Sequence, residues 1–449
     1  MNKIRSVVTL FVVFLSTALT AFSANIDSII QKTYLDKTST ISVSVKDVNT
    51  GKPVYEYNQY KLMNPASVQK IFTMRSVYRY LGADYSFKTR SYIDKSNNLY
   101  IRLSGDPSFS SDSLKELLDV TKSKLPAVVN DVVIDPTIFD NKQWGIGWMW
   151  DDDMSPLLPK YSPFSINENK IQVVLYPSKN NGLPIIKNNS FYDMKIVNLL
   201  KNGSIDNVIL DRMPWISSDM TYIKGTIKSE LSLDLPVSSP ENYFLSELRH
   251  LLAKTGITYS GSIKVAPISQ DANKLAEFES VPLIEQISKT LKESNNFYSE
   301  MIFKAAGASY ARMQGSTEKA VEMLEKEFIT IREDGHVFVD ACGISRNNLM
   351  SADWVTSALN KIYKDGDFDE FSLLLPKPME GTLSNRLLDI SLSVRAKTGT
   401  ASGISSIAGY IDAKSGKKYS FAIFIQNHSL DSNDVKKFED RLIREFYKM

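Results

Sequence analysis

A serine and a lysine three residues apart, Ser67 and Lys70, begin a region with helical periodicity. One turn of helix would bring the lysine ammonium to the serine hydroxyl. A serine becomes a nucleophile when a base takes its proton, and an amine can be that base if burial or a second cation keeps it neutral. The pair therefore indicates acyl transfer through a serine ester. The same spacing at Ser316–Lys319 and Ser415–Lys418 indicates only polar surface, so further motifs are needed.

A helix from Val68 to about Leu81 is expected to position this pair. Pro65 favours a turn just before the helix, and Gly82 suits its C-cap. Free N–H groups at the helix start would favour negative charge beside Ser67. One apolar stripe predicts that the helix is buried along one side: Val68, Ile71, Phe72, Tyr78 and Leu81.

A second motif, Lys397-Thr398-Gly399-Thr400, stands at the end of an apolar strand. An extended peptide can pair with such a strand at a sheet edge, and Gly399 leaves room for it. Lys397 would place a cation near a substrate carboxylate and would disfavour a charged Lys70. Thr398 and Thr400 offer hydroxyls to the same carboxylate. The Thr400 N–H could join that of the nucleophile in an oxyanion hole.

A third motif, Ser294-Asn295-Asn296, lies between two helical stretches. Ser294 can relay a proton to a leaving amine, and the Asn296 amide can hold Lys70 and a substrate carbonyl. Lys-Thr-Gly and Ser-x-Asn both occur elsewhere in the chain, but with different neighbouring elements. A second Lys-Thr-Gly ends a helix at Lys254–Gly256, and Ser-x-Asn recurs at Ser96–Asn98, Ser165–Asn167 and Ser345–Asn347.

Residues 1–23 have the organisation of a secretory signal peptide. Lys3 and Arg5 precede an apolar run from about Val7 to Ala21, and a cut is expected before Ala24. The run is too short to favour a spanning helix, although an uncleaved membrane anchor is the alternative. Secretion across the inner membrane to the periplasm or cell envelope is the expectation.

The composition is that of an ordinary globular protein, with 43% hydrophobic and 23% charged residues among 449. That length allows two or three domains. Removal of Lys3 and Arg5 with the signal peptide would leave equal numbers of basic and acidic residues, from 53 and 51. We therefore expect no nucleic-acid partner, while peripheral contact with a membrane stays open.

Other catalytic classes find no support in the sequence. The single cysteine, Cys342, excludes an internal disulfide and is expected to be a small buried thiol. The three histidines are scattered, and neither a Gly-x-Ser-x-Gly elbow nor a cysteine pair is present. A Ser-His-Asp hydrolase or zinc peptidase is therefore not expected. We predict that no metal or cofactor is needed.

The order of predicted strands and helices along the chain indicates one domain built from both ends. A hairpin at about Ile41–Tyr57 leads into the Ser67 helix, and strands with a closing helix return after residue 391. Residues 24–85 and 281–449 would form this domain. The span 86–280 reads as a β-rich insertion with two clear helices, Leu114–Lys122 and Glu241–Lys254.

Ser-x-x-Lys, Ser-x-Asn and Lys-Thr-Gly in this order resemble the signature of penicillin-binding proteins and class A β-lactamases. The long interval from Lys70 to Ser294 is similar to that of the D-Ala-D-Ala carboxypeptidase/endopeptidase family of low-molecular-mass class C penicillin-binding proteins. The likeness covers nearly the whole mature chain. It extends to the stretches Leu103–Pro107, Trp148–Asp152, Gly343–Asn348 and Gly381–Leu383.

The resemblance implies an α+β fold, a penicillin-recognising serine transpeptidase/β-lactamase-like domain whose antiparallel sheet is flanked by helices. The insertion would comprise one or two subdomains. Ser67 would be acylated with Lys70 as its base, Ser294 and Asn296 would assist, and substrate would bind at Lys397, Thr398, Gly399 and Thr400. One departure concerns a loop, where Asp340-Ala341-Cys342-Gly343 replaces the usual Asp-Gly-Ser-Gly.

The implied activity is a serine D-Ala-D-Ala carboxypeptidase, with endopeptidase cleavage of cross-links open. Its partners would be peptidoglycan stem peptides, with β-lactam antibiotics as covalent inhibitors. Two alternatives remain, a β-lactamase-like hydrolase and a non-catalytic protein that binds peptidoglycan or senses β-lactams. Fast penicillin turnover would favour the first, and peptidoglycan binding indifferent to Ser67→Ala would favour the second.

Overall fold

A computed structural model describes residues 22–179, 182–212, 220–331 and 335–449. The chain forms two compact units. The first comprises the described residues up to Ser76 together with Ser288–Ser294 and Leu324–Met449, and the second comprises Val77–Ile287 and Asn295–Met323. The two units are defined by how densely their residues pack, which does not test domain borders. The predicted borders at 24–85, 86–280 and 281–449 therefore stay a prediction.

The first unit is built on a five-stranded sheet whose neighbouring strands are all antiparallel. Thr40 pairs with Gln426 and Lys397 pairs with Ala408, so strands from both ends of the chain share one sheet. The spatial order of the strands is Val394–Ala401, Ile404–Asp412, Lys418–Gln426, Thr40–Asp47 and Pro53–Tyr57.

Both faces of this sheet are covered. The alternation in Thr40–Asp47 sends Ile41, Val43 and Val45 into an apolar cluster with the C-terminal helix Ser432–Lys448. The intervening polar side chains are buried as well, because the Ser44 hydroxyl bonds that of Thr356 at 2.8 Å. The polar side of the strand therefore faces a second helix, Ala352–Lys364.

The second unit is rich in strands, as the sequence predicts for the span 86–280. A five-stranded sheet has the order Ile263–Val265, Val132–Asp135, Leu99–Arg102, Lys88–Ile93 and Asn273–Glu279. Two three-stranded sheets have the orders Lys195–Asn202, Met220–Ile227, Asn207–Arg212 and Leu231–Pro236, Lys170–Tyr176, Ile185–Asn188. Their buried side chains form one apolar cluster with two helices, Ser111–Lys122 and Pro240–Thr255.

Further α-helices occur in the described residues. They are Leu35–Thr38, Lys70–Leu81, Leu283–Lys292, Asn296–Ala311, Thr317–Glu327 and Phe368–Ser372, with helical residues also at 22–31. Short 3-10 turns occur at Ala66–Gln69, Trp150–Met154, Gly381–Leu383 and Leu388–Ile390.

Among the described residues, no helix combines the length and the apolar character that crossing a membrane requires. The predicted signal peptide, residues 1–23, lies outside the described residues apart from its last two. Its assignment therefore stays a prediction.

Candidate active site

Ser67 lies in a tight turn rather than in the first α-helical turn. A 3-10 helix occupies Ala66–Gln69, and the α-helix begins only at Lys70. Ala66 has φ of +44°, a conformation that costs a non-glycine residue free energy. The Asn64 side chain holds it by accepting a hydrogen bond from the Ala66 N–H at 2.8 Å. The predicted start at Val68 was therefore two residues early.

The expected nucleophile, Ser67, and its expected base, Lys70, are in contact. Lys70 Nζ donates to Ser67 Oγ at 2.8 Å and to the Cys342 carbonyl oxygen at 2.8 Å. The Lys70 side chain is fully buried, whereas Ser67 keeps 8% of its surface exposed. A neutral amine has two N–H donors and one lone pair. The carbonyl can occupy a donor, which leaves the lone pair available to the serine hydroxyl.

From Lys70 to Tyr78 the helix is buried on all sides, not along one stripe as predicted, whereas Leu81 of the predicted stripe is half-buried. Besides the apolar stripe, polar and charged residues such as Thr73, Arg75 and Ser76 are at most 1% exposed. Arg75 is paired with Asp365 and Asp367 at 2.8 and 2.7 Å. Such pairing lets charged side chains occupy a buried helix face. The turn Ala66–Gln69, which we call the nucleophile turn, therefore precedes a well-packed helix.

Lys397 provides a second buried amine. Its Nζ donates to Ser294 Oγ at 2.9 Å and to the Thr398 carbonyl oxygen at 2.8 Å. Burial, and then the positive charge of Lys70, lower the pKa of Lys397 well below that of an ordinary lysine. Each ammonium disfavours the other, so a state with one neutral amine is favoured. Ser294, partly exposed with φ of +60°, is thus bonded to the edge strand through Lys397, while its predicted role as a proton relay stays a prediction.

The Lys397 strand forms the edge of the sheet beside the nucleophile turn. A β-carbon on Gly399 would lie 2.8 Å from the Ser67 amide nitrogen, which places the two backbones in contact. Ala396 N donates away from the sheet, to the Pro376 oxygen at 2.9 Å. Since backbone groups alternate along an antiparallel strand, the N–H of Thr400 points the same way. This direction suits both pairing with an extended peptide and an oxyanion hole.

The two threonines of the motif have different surroundings. Thr398 is buried and its hydroxyl contacts that of Thr382 at 2.8 Å, whereas Thr400 is exposed. The motif lies within the strand Val394–Ala401, not at its end as predicted, and the turn follows at Ser402–Gly403. Thr382 belongs to the Gly381–Leu383 stretch, to which the sequence assigned no role.

A buried carboxylate supports the Cys342 carbonyl, and sequence reasoning missed it. Asp340 is 1% exposed and accepts hydrogen bonds from Gly343 N at 2.8 Å and Ser345 N at 2.6 Å. It also accepts from Asn348 Nδ2 at 2.9 Å. The density of Asp, Asn, Ser and Gly in residues 340–348 was the signal, because such residues fold loops through side chain–backbone bonds. The Cys342 thiol is fully buried, as expected.

Asn296 is the first residue of the helix Asn296–Ala311 and belongs to the second unit. Its amide nitrogen donates to the Leu157 carbonyl oxygen at 3.1 Å. The predicted contacts of Asn296 with Lys70 and with substrate stay predictions. The first unit therefore brings together Ser67, Lys70, Ser294, Lys397, Thr398, Gly399 and Thr400.

Two of the other occurrences of the motifs have structural roles. Lys319 N is capped by Ser316 Oγ at 3.4 Å, and Gly256 has φ of +70° at a helix C-cap. Trp148 packs against Trp144 and Tyr161, with ring centroids 5.0 and 5.9 Å apart. These residues need no role in catalysis.

A protein-family model for the D-Ala-D-Ala carboxypeptidase 3 (S13) family matches residues 22–446, so the chain belongs to that family. The chain is 26% identical to D-alanyl-D-alanine carboxypeptidase DacB of Haemophilus influenzae over the full length of both. The crystal structure of penicillin binding protein 4 (dacB) from Haemophilus influenzae matches with a TM-score of 0.84 at 24% identity, covering 95% of this chain and 100% of that one. The same protein complexed with a novel β-lactam matches with a TM-score of 0.80 at 22% identity and the same coverage.

These likenesses confirm the family, the fold class and the assignment as an enzyme of the D-Ala-D-Ala carboxypeptidase type. The antiparallel five-stranded sheet with helices on both faces is the arrangement that the resemblance implied.

Proposed function

We propose that the chain is an envelope-located serine D-Ala-D-Ala carboxypeptidase that acts on peptidoglycan stem peptides through an acyl-enzyme at Ser67. The observation that carries this proposal is the 2.8 Å contact between Lys70 Nζ and Ser67 Oγ beside the Lys397 edge strand. An amine that is buried next to a second amine is suited to act as a base near neutral pH.

The acylation step follows from this geometry. Lys70 Nζ takes the hydroxyl proton of Ser67, and Oγ attacks the carbonyl carbon of the penultimate D-Ala. The oxyanion is stabilised by the N–H groups of Ser67 and Thr400. The C–N bond then breaks, and the amine of the terminal D-Ala leaves with a proton passed through Ser294. Water hydrolyses the ester and restores the serine.

The substrate would lie along the edge strand. Backbone groups of Thr398 and Thr400 would pair with the extended stem peptide, and Gly399 allows its close approach. The terminal carboxylate would be held by the threonine hydroxyls and by Lys397, whose charged form is favoured by an adjacent carboxylate. Cleavage of the D-Ala–diaminopimelate cross-link uses the same acyl group with a larger leaving amine, so endopeptidase activity is included in the proposal.

β-Lactam antibiotics would acylate the same hydroxyl, because their strained amide occupies the place of the D-Ala-D-Ala bond. The β-lactam complex of the Haemophilus influenzae protein supports this expectation. A substrate located in the cell wall, together with the basic and apolar residues at 3–21, supports secretion to the periplasm or cell envelope.

The test is to incubate the purified protein with a labelled penicillin, and separately with a stem pentapeptide and a cross-linked muropeptide, followed by mass spectrometry. We expect one adduct on the Ser67 peptide and release of free D-Ala, both absent in Ser67→Ala. Ser316→Ala, which alters the capping serine of the unrelated Ser-x-x-Lys stretch, should behave as the wild type. Rapid hydrolysis of penicillin without a lasting adduct would instead identify a β-lactamase. Absence of both adduct and D-Ala release would refute the proposal.

A further inference from the structure

Three consecutive residues of the second unit have left-handed backbone conformations. The φ angles of Asn167, Glu168 and Asn169 are +50°, +53° and +54°. The flanking residues Ile166 and Lys170 are extended, with φ of −141° and −125°. Left-handed residues normally occur singly, and asparagine tolerates the conformation better than glutamate does. The fold therefore maintains an unfavourable backbone at Glu168, in a segment that we call the left-handed turn.

Two asparagine side chains pin the ends of the left-handed turn. Asn167 Nδ2 donates to Tyr243 Oη at 2.9 Å, and its Oδ1 accepts from Ser111 N at 3.0 Å. Asn169 is fully buried, and its Nδ2 donates to the Lys160 carbonyl oxygen at 2.6 Å. Because Asn167 and Asn169 are both held by hydrogen bonds, the strained backbone of Glu168 between them is kept in one conformation, which fixes where its side chain points.

The residue held in this way is bonded to the Ser-x-Asn motif. Glu168 Oε2 accepts from Asn295 Nδ2 at 3.2 Å and from Lys170 Nζ at 3.2 Å. Asn295 is the N-cap of the helix Asn296–Ala311, and its Oδ1 accepts from Tyr298 N at 3.0 Å. The Asn295 amide is thus fixed at both ends, its oxygen by the helix and its nitrogen by Glu168.

We propose that Glu168 is a positioning residue, which acts through Asn295 to orient the first turn of the helix that begins with Asn296. This inference rests on the proposed function and on the role that the sequence predicts for Asn296, whose amide would assist the reaction at Ser67. A carboxylate near the N-terminus of a helix also interacts favourably with the helix dipole. The left-handed turn serves to direct this carboxylate at Asn295.

The substitution Glu168→Gly separates an effect on the rate of catalysis from an effect on stability. Glycine adopts positive φ without strain, so Glu168→Gly should melt at the wild-type temperature or about 2 °C higher. The same change removes the carboxylate that holds Asn295. We expect kcat for D-Ala release from a pentapeptide to fall by about 10-fold, with KM within about twofold, since small displacements of a positioned group slow the chemical step. Glu168→Gln keeps an acceptor oxygen and should recover most of the lost kcat.

Arg312 supplies the matched control, because it is exposed with φ of +53° at the C-cap of the same helix. Arg312→Gly should match or exceed the wild-type melting temperature and keep the wild-type kcat. Wild-type kcat in Glu168→Gly would overturn the inference, as would a loss of kcat accompanied by a lower melting temperature and not recovered by glutamine. If the wild type itself shows neither D-Ala release nor a Ser67 adduct, the proposed function fails instead, so the two failures are distinguishable.

Discussion

A β-carbon added to Gly399 would stand 2.8 Å from the amide nitrogen of Ser67. It would also collide with the hydroxyl of Ser406 on the neighbouring strand. Ser406 in turn donates to the Pro65 carbonyl oxygen at 2.7 Å, which anchors the nucleophile turn to the sheet. The absence of a side chain at 399 is therefore what lets the edge strand close against the nucleophile.

Gly399→Ala is expected to slow acylation by penicillin about 100-fold, because the turn must move away from its N–H partner in the oxyanion hole. The rate of adduct formation at Ser67 measures the effect. Gly366→Ala serves as the control, since an added β-carbon there meets no atom within 4 Å. An acylation rate equal to that of the control would show that the turn tolerates the extra methyl group.

Lys397→Met is expected to change stability in a pH-dependent way. The pKa of Lys397 is lowered in the folded state from the ordinary value of 10.5, so the unfolded state binds more protons between the two values. Stability of the wild type therefore rises with pH across that interval. The variant lacks this contribution. Its stability relative to the wild type should be greatest below the folded-state pKa of Lys397 and should decline as pH rises towards 10.5.

Denaturant unfolding of the wild type and Lys397→Met at several pH values measures this trend. Lys418→Met is the control, because that lysine is partly exposed and paired with Asp412 at 2.7 Å. A stability difference for Lys397→Met that does not vary with pH would contradict a charge penalty at this site. Substrate turnover by Lys397→Met should be lost at every pH.

Asp340→Ala is expected to lower the free energy of unfolding by about 3 kcal/mol or more. The change leaves several buried donors without an acceptor, and each such donor costs about 1–3 kcal/mol. Those donors are the backbone N–H groups of Gly343 and Ser345 and the amide of Asn348. Asp412→Ala removes a largely exposed carboxylate and should cost under about 1 kcal/mol. Equal losses in the two variants would exclude a structural role for the Asp340 loop.

The Cys342 thiol should not react with a small alkylating reagent in the native protein, because it is fully buried. After denaturation one adduct is expected, since the chain has a single cysteine. Intact-mass measurement distinguishes the two states. Rapid labelling of native protein would show that the loop beside Lys70 opens frequently.

Elements with strong apolar periodicity could be predicted from the sequence. The closing helix is an example, because Val435, Phe438, Leu442 and Phe446 bury one stripe in the core. The start of the Lys70 helix could not be predicted to the residue. It depends on Asn64, whose side chain bonds both Ala66 N and the Ser345 carbonyl oxygen, a residue distant in sequence.

Motifs identified the side chains that meet at the site, but not the backbone groups. Ser67, Lys70, Ser294 and Lys397 were predicted because their chemistry depends on residue type. The Cys342 carbonyl that accepts from Lys70 carries no such signal, since every residue has a carbonyl oxygen. Asp340 was missed for a related reason, because its role is to hold the loop that presents this carbonyl.

The pairing of Thr40 with Gln426 has a consequence for biosynthesis. During synthesis from the N-terminus Ser67 is made early, yet the sheet that carries the Lys397 edge strand can form only after Ile404–Asp412 and Lys418–Gln426 have been made. The proposed nucleophile therefore meets its proposed substrate-binding strand only when synthesis is nearly complete. Loss of the final strand and helix would remove Lys418–Gln426, the strand that joins Ile404–Asp412 to Thr40–Asp47, and would separate the Lys397 edge strand from the N-terminal hairpin.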